Sequence, residues 1–301
     1  MTTSVVLTTY NGMRYIEPLL DSLRLQSQRI DEVLIFDDGS TDETIEFIQH
    51  YIRRYDLIRW SATVNKVNKG WKKNFKDGIL SAKGDLIFPC DQDDIWELNK
   101  IEKMCHVFKE NSNVILLSSD YRPIYEEGGQ KVDTFQNHSE IPQFVPVDEK
   151  FSVHTRPGCV MCVRRAFASA IEEIWDDNYA HDALLWSAAT LSGGNYILNL
   201  PLIQYRRHSN NASTGAHRTV ENQVLLMEMG KKIVHWYKKS HNDTLGDKKR
   251  IIEEYLQWAD LRIELLQLRK LGNFFRLLKY HKYFRSVRQE LGDIYYLMRR
   301  R

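Results

Sequence analysis

The sequence predicts an α/β protein whose mostly parallel sheet is flanked by helices, with a helical C-terminal region. Two patterns predict this fold class. In roughly the first hundred residues, short β-branched or apolar runs alternate with amphipathic helical patterns, which is typical of a parallel sheet covered on both faces. From Val220 onward the pattern is helical almost without interruption. We therefore expect one domain at residues 1–215 and a basic helical region at residues 216–301.

The alternation begins with a predicted strand at residues 4–9, an Asn-Gly turn pair and a helical pattern. A second apolar run, residues 32–36, ends in the letters DDGS. A helix is expected to begin directly there, because Ser40 or Thr41 can cap it. The remaining predicted elements are strands at residues 58–62, 85–89 and 196–203 and a helix at residues 71–82.

Two regions interrupt these patterns. Residues 120–151 hold Pro, Gly, Asn and acidic residues without a clear period, so we predict a mobile loop region there. Loops of that length are often functional. In the helical C-terminal region, breaks are expected at residues 242–246 and at Gly272.

The composition, 43% hydrophobic and 27% charged, is that of a globular protein with a core. Four cysteines lie among apolar neighbours, so buried reduced thiols are expected. Cys159 and Cys162 lack the second ligand pair that a zinc site would need. The N-terminal residues show no basic leader, and no segment approaches the about 20 apolar residues that span a bilayer. The chain is predicted to be cytoplasmic, or held at the inner face of the cell membrane.

Polar segments directly follow the first two predicted strands. TTYNG ends at Gly12, and DDGSTD runs from Asp37 to Asp42. Ligands of parallel sheets bind at the carboxyl ends of strands, where hydroxyls and carboxylates can meet a nucleotide. Each segment alone is more simply explained as a turn or a helix cap. Together they favour a nucleotide site.

A third polar segment, DQDD at residues 91–94, follows the apolar run LIFPC. Three carboxylates within four residues repel one another unless a cation or protons intervene. Divalent cations prefer such oxygen ligands together with phosphate oxygens. The alternative is a solvated acidic turn before the next helix. The buried strand in front of the segment favours metal binding.

The order of TTYNG, DDGSTD and AKGDLIFPCDQDDIW resembles glycosyltransferase family 2, whose members have the nucleotide-binding GT-A fold. The resemblance implies that Thr9, Tyr10 and Asp38 contact the nucleoside. It also implies that Asp91 addresses the ribose and that Asp93 binds the metal ion, Mg²⁺ or Mn²⁺, that holds the donor diphosphate.

The resemblance is strong over residues 3–105 and less specific at three other positions. Gly70 and Asn74 resemble a family stretch near the nucleotide, although either residue could simply start or cap a helix. Gly158 resembles a glycine beside the acceptor sugar, where the backbone must come close, but a plain strand glycine explains it equally well.

Asp182, in the pair His181-Asp182, precedes a helical pattern. Its carboxylate could cap that helix, which spacing alone favours. It could also be the general base that takes the proton from an acceptor hydroxyl. Family 2 has an acidic base at the start of the corresponding helix, so the resemblance implies that Asp182 is the base.

The segment YRRH at residues 205–208 follows another predicted strand. Alone it is more simply a solvated basic turn, although Arg and His beside a metal site can stabilise a diphosphate leaving group. It resembles YRQHxxN in a bacterial subset of the family that includes many rhamnosyltransferases, and Arg207 departs from that pattern. The resemblance assigns Arg206 and His208 to the diphosphate and suggests dTDP-rhamnose as donor, with UDP-hexoses as the alternative.

The C-terminal region is basic. Residues 220–301 carry 18 Lys and Arg against 10 Asp and Glu, a charge of +8, which leaves −6 for residues 1–219. Between residues 274 and 301, cations alternate with Phe, Leu and Tyr at helical spacing. Such a helix can lie on an anionic bilayer or pack on the catalytic domain with a solvated cationic face. Nucleic acid is disfavoured as a partner because the rest of the chain is acidic.

The sequence therefore predicts an inverting, metal-dependent transfer of a sugar from a nucleotide diphosphate donor to a glycan acceptor, which could be lipid-linked, in bacterial surface polysaccharide synthesis. A nucleotidyltransferase is disfavoured because TTYNG is a poor phosphate loop. A nucleotide-sugar binding scaffold without activity is disfavoured by the intact Asp91, Asp93 and Asp182.

Overall fold

The protein is described by a computed structural model that covers residues 1–135, 138–209, 211, 219–241 and 245–299, with side chains in the last range described as far as residue 293. The described residues form two compact units. The first unit lies within residues 1–145, 155–185 and 194–211, and the second within residues 146–154, 186–193 and 212–301.

The first unit is built on one sheet. The strands are β1 (Thr3–Thr9), β2 (Glu32–Asp37), β3 (Trp60–Val64), β4 (Leu86–Asp91), β5 (Ile95–Trp96), β6 (Leu116–Tyr125), β7 (Gln143–Phe144), β8 (Met161–Arg164) and β9 (Asn195–Arg207). Among the described residues the strand order is β3-β2-β1-β4-β8-β6-β9-β5, with β7 paired to β9.

Strands β1 to β4 are parallel, as the alternating pattern predicts. In β1, Val5, Val6 and Leu7 are fully buried, which explains a continuous apolar run rather than an alternating one. The register pairs Thr9 with Asp37 on one side of β1. On the other side it pairs Thr8 with Asp91. The carboxyl ends of β1, β2 and β4 therefore meet at one edge of the sheet.

Helices join these strands. The helices whose bounds begin in the first unit are α1 (Ile16–Arg24), α2 (Thr44–Arg54), α3 (Trp71–Ser81), α4 (Lys100–Glu110), α5 (Arg165–Ala170) and α6 (His181–Leu191). The predicted start of α2 at Ser40 or Thr41 is wrong, because α2 begins at Thr44. The Ser40 hydroxyl instead donates to Asp37, and Asp42 accepts hydrogen bonds from the backbone N–H and the hydroxyl of Thr44.

The loop predicted at residues 120–151 begins later than expected. Strand β6 continues to Tyr125, and residues 143–144 form β7. Strand β6 pairs in parallel with β9, with irregular register around Asp120. The sequence predicted β9 but not the end of β6, because residues 120–125 show no clear period and are held as a strand by their pairing with β9, a distant segment of the chain.

The second unit is helical from Val220 onward, as predicted. Its helices are α7 (Val220–His241), α8 (Lys248–Leu268), α9 (Gly272–Leu277) and α10 (Val287–Arg299), with a 3₁₀ segment at Leu278–Tyr283. The gap between α7 and α8 agrees with the predicted first break, of which residues 242–244 lie outside the described ranges. The second break lies three residues before Gly272, since Arg269 has the left-handed conformation that ends α8.

A buried polar network ties three helices of the second unit together. The Arg262 guanidinium on α8 donates to both carboxylate oxygens of Asp293 on α10, at 2.7 and 3.0 Å. It also donates to Gln223 on α7 at 2.9 Å. All three side chains are buried. Removing either charge of the Arg262–Asp293 pair would therefore leave the other buried without compensation, which is strongly destabilising.

The four cysteines are all buried and unbridged, as the sequence predicts. Burial raises the pKa of the thiols of Cys90, Cys159 and Cys162. These thiols are therefore protonated near neutral pH and unreactive.

Candidate active site

Two loops at the carboxyl edge of the sheet are hydrogen-bonded to each other. Asn11, which has a positive φ of 49°, accepts a hydrogen bond from the Thr41 backbone at 2.8 Å through its side chain. Its own backbone N–H donates to the Ser40 hydroxyl at 2.9 Å. The segments TTYNG and DDGSTD therefore form one contiguous rim, as their positions at strand ends predict.

Asp37 organises this rim, although the sequence analysis gave it no role. Its carboxylate accepts hydrogen bonds from the Thr9 hydroxyl at 2.8 Å and from the backbone N–H groups of Gly39 and Ser40. The Thr9 hydroxyl is buried in this arrangement. Thr9 therefore shapes the rim, and its contact with a nucleoside stays a prediction.

Asp38 is nearly buried and faces the loop before α3. Its carboxylate accepts hydrogen bonds from the backbone N–H of Lys69 and of Gly70, both at 2.8 Å. It also accepts one from the Asn65 side chain at 2.9 Å. Asn65 in turn donates to Asn74. Asp38 thus fixes the loop before α3 beside the rim. Its contact with the nucleoside stays a prediction.

Tyr10 is held at the rim by its backbone and leaves about half of its side chain exposed, at 48%. Gln92, between the carboxylates of DQDD, accepts from the Tyr10 N–H at 2.8 Å and donates to the Tyr10 carbonyl at 3.0 Å. A Cβ on Gly12 would collide with the Gln92 side chain. These two hydrogen bonds hold the DQDD segment against the TTYNG segment.

Asp93 lies against the segment YRRH. Its carboxylate contacts His208 Nε2 at 2.9 Å and accepts a hydrogen bond from Asn211 at 2.9 Å. The His208 ring stacks on Tyr15, with ring centroids 5.1 Å apart. The structure therefore brings together Asp93 and His208, which the sequence had placed at a metal and at a diphosphate.

Arg206 is fixed from several sides. Its backbone N–H donates to Asp94 at 2.9 Å, and its Nε donates to the Asp93 carbonyl at 2.9 Å. Its guanidinium pairs with Glu126 at 2.8 Å, and the Tyr15 hydroxyl donates to the same carboxylate. The Tyr15 hydrogen bond and Arg206 lower the pKa of Glu126. Sequence reasoning missed Tyr15 and Glu126, for which no motif gave a signal.

Carboxylates crowd the centre of the site. Burial, with the nearby carboxylates of Asp93 and Asp182, raises the pKa of Asp91 to about 7. Burial and the same kind of repulsion raise the pKa of Asp94, whose Oδ2 atom is buried with no hydrogen-bond partner among the described residues. Asp182 therefore lies close enough to Asp91 for its charge to act on that carboxyl, and its role as the general base stays a prediction.

These residues fit a divalent cation. Ligand atoms of Asp91, Asp94 and Cys159 lie within 4.8 Å of one another. Mg²⁺ and Mn²⁺ prefer carboxylate oxygens, whereas the Cys159 thiol is buried with a raised pKa. Of these three, the carboxylates of Asp91 and Asp94 therefore suit the ion, and its charge would relieve the repulsion that, with burial, raises the pKa of Asp91. Asp93, which the resemblance assigns to the metal, is not in this group, and its role as metal ligand stays a prediction.

Lys100 is a buried cation behind the carboxylates. Its ammonium group donates to the Cys159 carbonyl at 2.7 Å and lies 3.7 Å from the centroid of the Trp96 ring. Burial lowers the pKa of Lys100 to about 8. Its hydrogen bond ties the α4 helix to the backbone turn that begins at Gly158.

Asp182 lies in the first turn of α6, beside that same turn. A Cβ on Gly158 would collide with the His181 ring and would touch Asp182. His181 is buried against Phe75, with ring centroids 4.2 Å apart. Gly158 is therefore required for close approach of the backbone to the start of α6, rather than being a plain strand glycine.

Replacing Glu126 by Gln is expected to weaken the activity of this site without unfolding the protein. The variant keeps the side-chain shape but removes the negative charge that fixes Arg206. We expect kcat/KM to fall about two- to tenfold, the scale of a partly exposed ion pair. Steady-state turnover measures the effect. Glu127→Gln, at an exposed neighbour, is the matched control, and equal activities of the two variants would contradict the positioning role.

The chain belongs to glycosyl transferase family 2, whose model matches residues 4–171. It is 30% identical over 249 residues to the dTDP-rhamnosyl transferase RfbG of Shigella flexneri, a match covering 77% of this chain and 81% of that protein. An uncharacterized protein of Mycobacterium tuberculosis is 32% identical over 129 residues, or 42% of this chain. That match covers only 37% of the relative's length.

Solved structures share the fold at low sequence identity. TarS 1-349 of S. aureus in complex with UDP has a TM-score of 0.63 at 16% identity, covering 99% of this chain and 92% of that chain. The mannosyltransferase PcManGT of Pyrobaculum calidifontis, in complex with GDP-Man and Mn²⁺, has a TM-score of 0.52 at 14% identity, covering 98% and 84%. The predicted GT-A fold and the predicted family are thus confirmed.

Proposed function

We propose that this glycosyltransferase transfers a sugar from a nucleotide diphosphate donor to a glycan acceptor, with inversion at the anomeric carbon. The observation that supports it best is the convergence of Asp91, Asp93, Asp182, Arg206 and His208. The DQDD carboxylates contact the YRRH segment directly, and the charge of Asp182 acts on the same cluster. These side chains lie at the carboxyl ends of strands, where parallel sheets bind ligands.

In the proposed reaction, Asp182 takes the proton of the acceptor hydroxyl as its oxygen attacks the anomeric carbon. The new bond forms on the face opposite the nucleotide, and the bond from the anomeric carbon to the phosphate oxygen breaks. Its electron pair leaves with the diphosphate, whose charge Arg206 and His208 stabilise. Thr9, Tyr10 and Asp38 belong to the rim that would receive the nucleoside, and Asp91 would face the ribose.

A Mg²⁺ or Mn²⁺ ion held at Asp93 would supply positive charge for the departing diphosphate. The donor set of carboxylates supports these ions over softer metals. The catalytic residues all lie before residue 215, so we propose residues 1–215 as the catalytic domain and residues 216–301 as a helical appendage.

The proposed donor is dTDP-rhamnose, and the similarity to RfbG over most of both chains supports it. A UDP-hexose is the alternative. We propose a glycan of bacterial surface polysaccharide synthesis as acceptor, carried on a lipid at the cytoplasmic face of the membrane.

A donor screen tests this function. Purified protein with Mn²⁺ is incubated with dTDP-rhamnose, UDP-hexoses and GDP-sugars, while release of each nucleotide diphosphate and the melting temperature are followed. Stabilisation and slow release with dTDP-rhamnose are the expected result. Release from another donor alone would replace the sugar assignment. If no donor stabilises the protein or is consumed, the transferase proposal fails.

A further inference from the structure

The surface at the end of α8 and along α9 is both apolar and basic. Four large apolar side chains are exposed there: Leu268 at 63%, Leu271 at 64%, Phe275 at 75% and Leu278 at 48%. They fall within three successive short segments, the end of α8, α9 and the following 3₁₀ turn. We name them, with Arg269, Lys270, Arg276, Lys279, Lys282 and Arg285, the basic-apolar face.

The charge of this face has one sign. Between Glu264 and Glu290 the sequence holds seven Lys and Arg and no Asp or Glu. Within the described residues, Lys279, Lys282 and Arg285 form no ion pair with a carboxylate, in contrast to Lys73 and Lys76 of the first unit, which both pair with Asp177. Unpaired cations around exposed Phe and Leu side chains are not what a solvated helix face requires.

We propose that the basic-apolar face docks on the surface of a bilayer that contains anionic lipids. Exposed Leu and Phe side chains can enter the boundary between headgroups and acyl chains, while Lys and Arg stems reach back to the phosphates. Each cation near an anionic surface strengthens the partition by about fivefold. None of the helices in the described ranges is long and apolar enough to cross a membrane, and surface docking needs no such helix.

Charge complementarity selects this occupant over a second copy of the chain. An isologous dimer through the face would bring the same patch of both chains together. The six cations of the face, of which Lys270 is paired with Glu264, would then oppose the same six cations of the other chain, and the repulsion would disfavour contact. An anionic bilayer neutralises the same cations and also buries the apolar side chains.

The inference rests on residues of the second unit alone, and it extends the proposed function because a lipid-linked acceptor would be met at such a surface. The test is co-sedimentation of the full chain with vesicles of phosphatidylcholine alone, or with an equal part of phosphatidylglycerol. We expect binding to the anionic vesicles only, and loss of binding at about 1 M salt, where charges are screened beyond about 3 Å.

Two double variants separate the contributions. Lys279→Gln with Lys282→Gln is expected to weaken binding about 25-fold, from about fivefold for each cation. Leu271→Ser with Phe275→Ser is expected to weaken it by at least tenfold. The matched control combines Ile58→Ser with Lys109→Gln, at exposed positions of the first unit, and should bind like the wild type.

The proposal is overturned if the wild type ignores anionic vesicles or if both double variants bind them unchanged. A dimer in solution that the same variants dissociate, without vesicle binding, would also overturn it and identify a second copy as the occupant. Nucleotide release in solution is measured in parallel and should be equal in all these proteins. Vesicle binding by a wild type that consumes no donor would contradict the transferase proposal and leave the docking surface intact.

Discussion

Asp93→Asn is expected to lower kcat/KM for donor turnover by about a thousandfold. The substitution keeps the size of the side chain, and Asn can still accept a hydrogen bond from Asn211. It removes the negative charge that would hold the divalent cation, whose stabilisation of the leaving diphosphate is worth several kcal/mol, or about tenfold per 1.36 kcal/mol. The donor should also bind more weakly, because metal and diphosphate bind together.

The measurement is a Mn²⁺ titration of nucleotide release and of thermal stabilisation by the donor. Wild-type activity should disappear on chelation with EDTA and return with Mn²⁺ or Mg²⁺. Asp56→Asn is the matched control, since Asp56 is exposed and Asn also tolerates its positive φ of 49°. Full activity of wild-type protein in EDTA would show that the reaction needs no metal ion, and the role of Asp93 would have to be replaced.

Asp182→Asn is expected to lower kcat by about a hundred- to ten-thousandfold, the usual contribution of a general base. The affinity for the donor should change little, because the proposed role of Asp182 concerns only the acceptor hydroxyl. This separation of turnover from binding distinguishes it from Asp93→Asn. Donor titration in the absence of acceptor and single-turnover transfer in its presence measure the two effects.

Asp177→Asn provides the control for Asp182. Asp177 is a nearby exposed carboxylate that pairs with Lys73 and Lys76, and loss of such surface pairs is expected to change stability by at most about 1 kcal/mol. If donor affinity fell in step with turnover in Asp182→Asn, the carboxylate would have a structural role at the start of α6. If Asp182→Asn kept wild-type turnover, Asp182 would have no role in the proposed mechanism.

The sequence predicted the polar rim better than the contacts that hold it. TTYNG, DDGSTD and DQDD each follow an apolar run, and parallel strands necessarily place such segments at one edge of a sheet. Gln92 and Asp37 escaped notice because their partners, Tyr10 and Thr9, belong to other segments of the chain. A motif records neighbours in sequence, whereas these bonds join different strands.

The contacts that support Arg206 also could not be predicted from sequence patterns. Glu126 lies 80 residues from Arg206, and Tyr15 lies 111 residues from Glu126. Glu126 directly follows β6, which ends at Tyr125. Because β6 pairs with β9, which contains Arg206, the two side chains come together. Nothing in the local composition of residues 120–151 distinguishes that carboxylate from its neighbour Glu127.

The sequence by itself determined the α/β class, the family, the position of the polar segments and the helical, basic C-terminal region. These follow from local period, from residue types and from motif order, all of which are written along the chain. Only the tertiary structure decided the strand order, the contact of Asp93 with His208 and the support of Arg206 by Glu126. Those features depend on pairings between distant segments, whose energies arise only when the chain is folded.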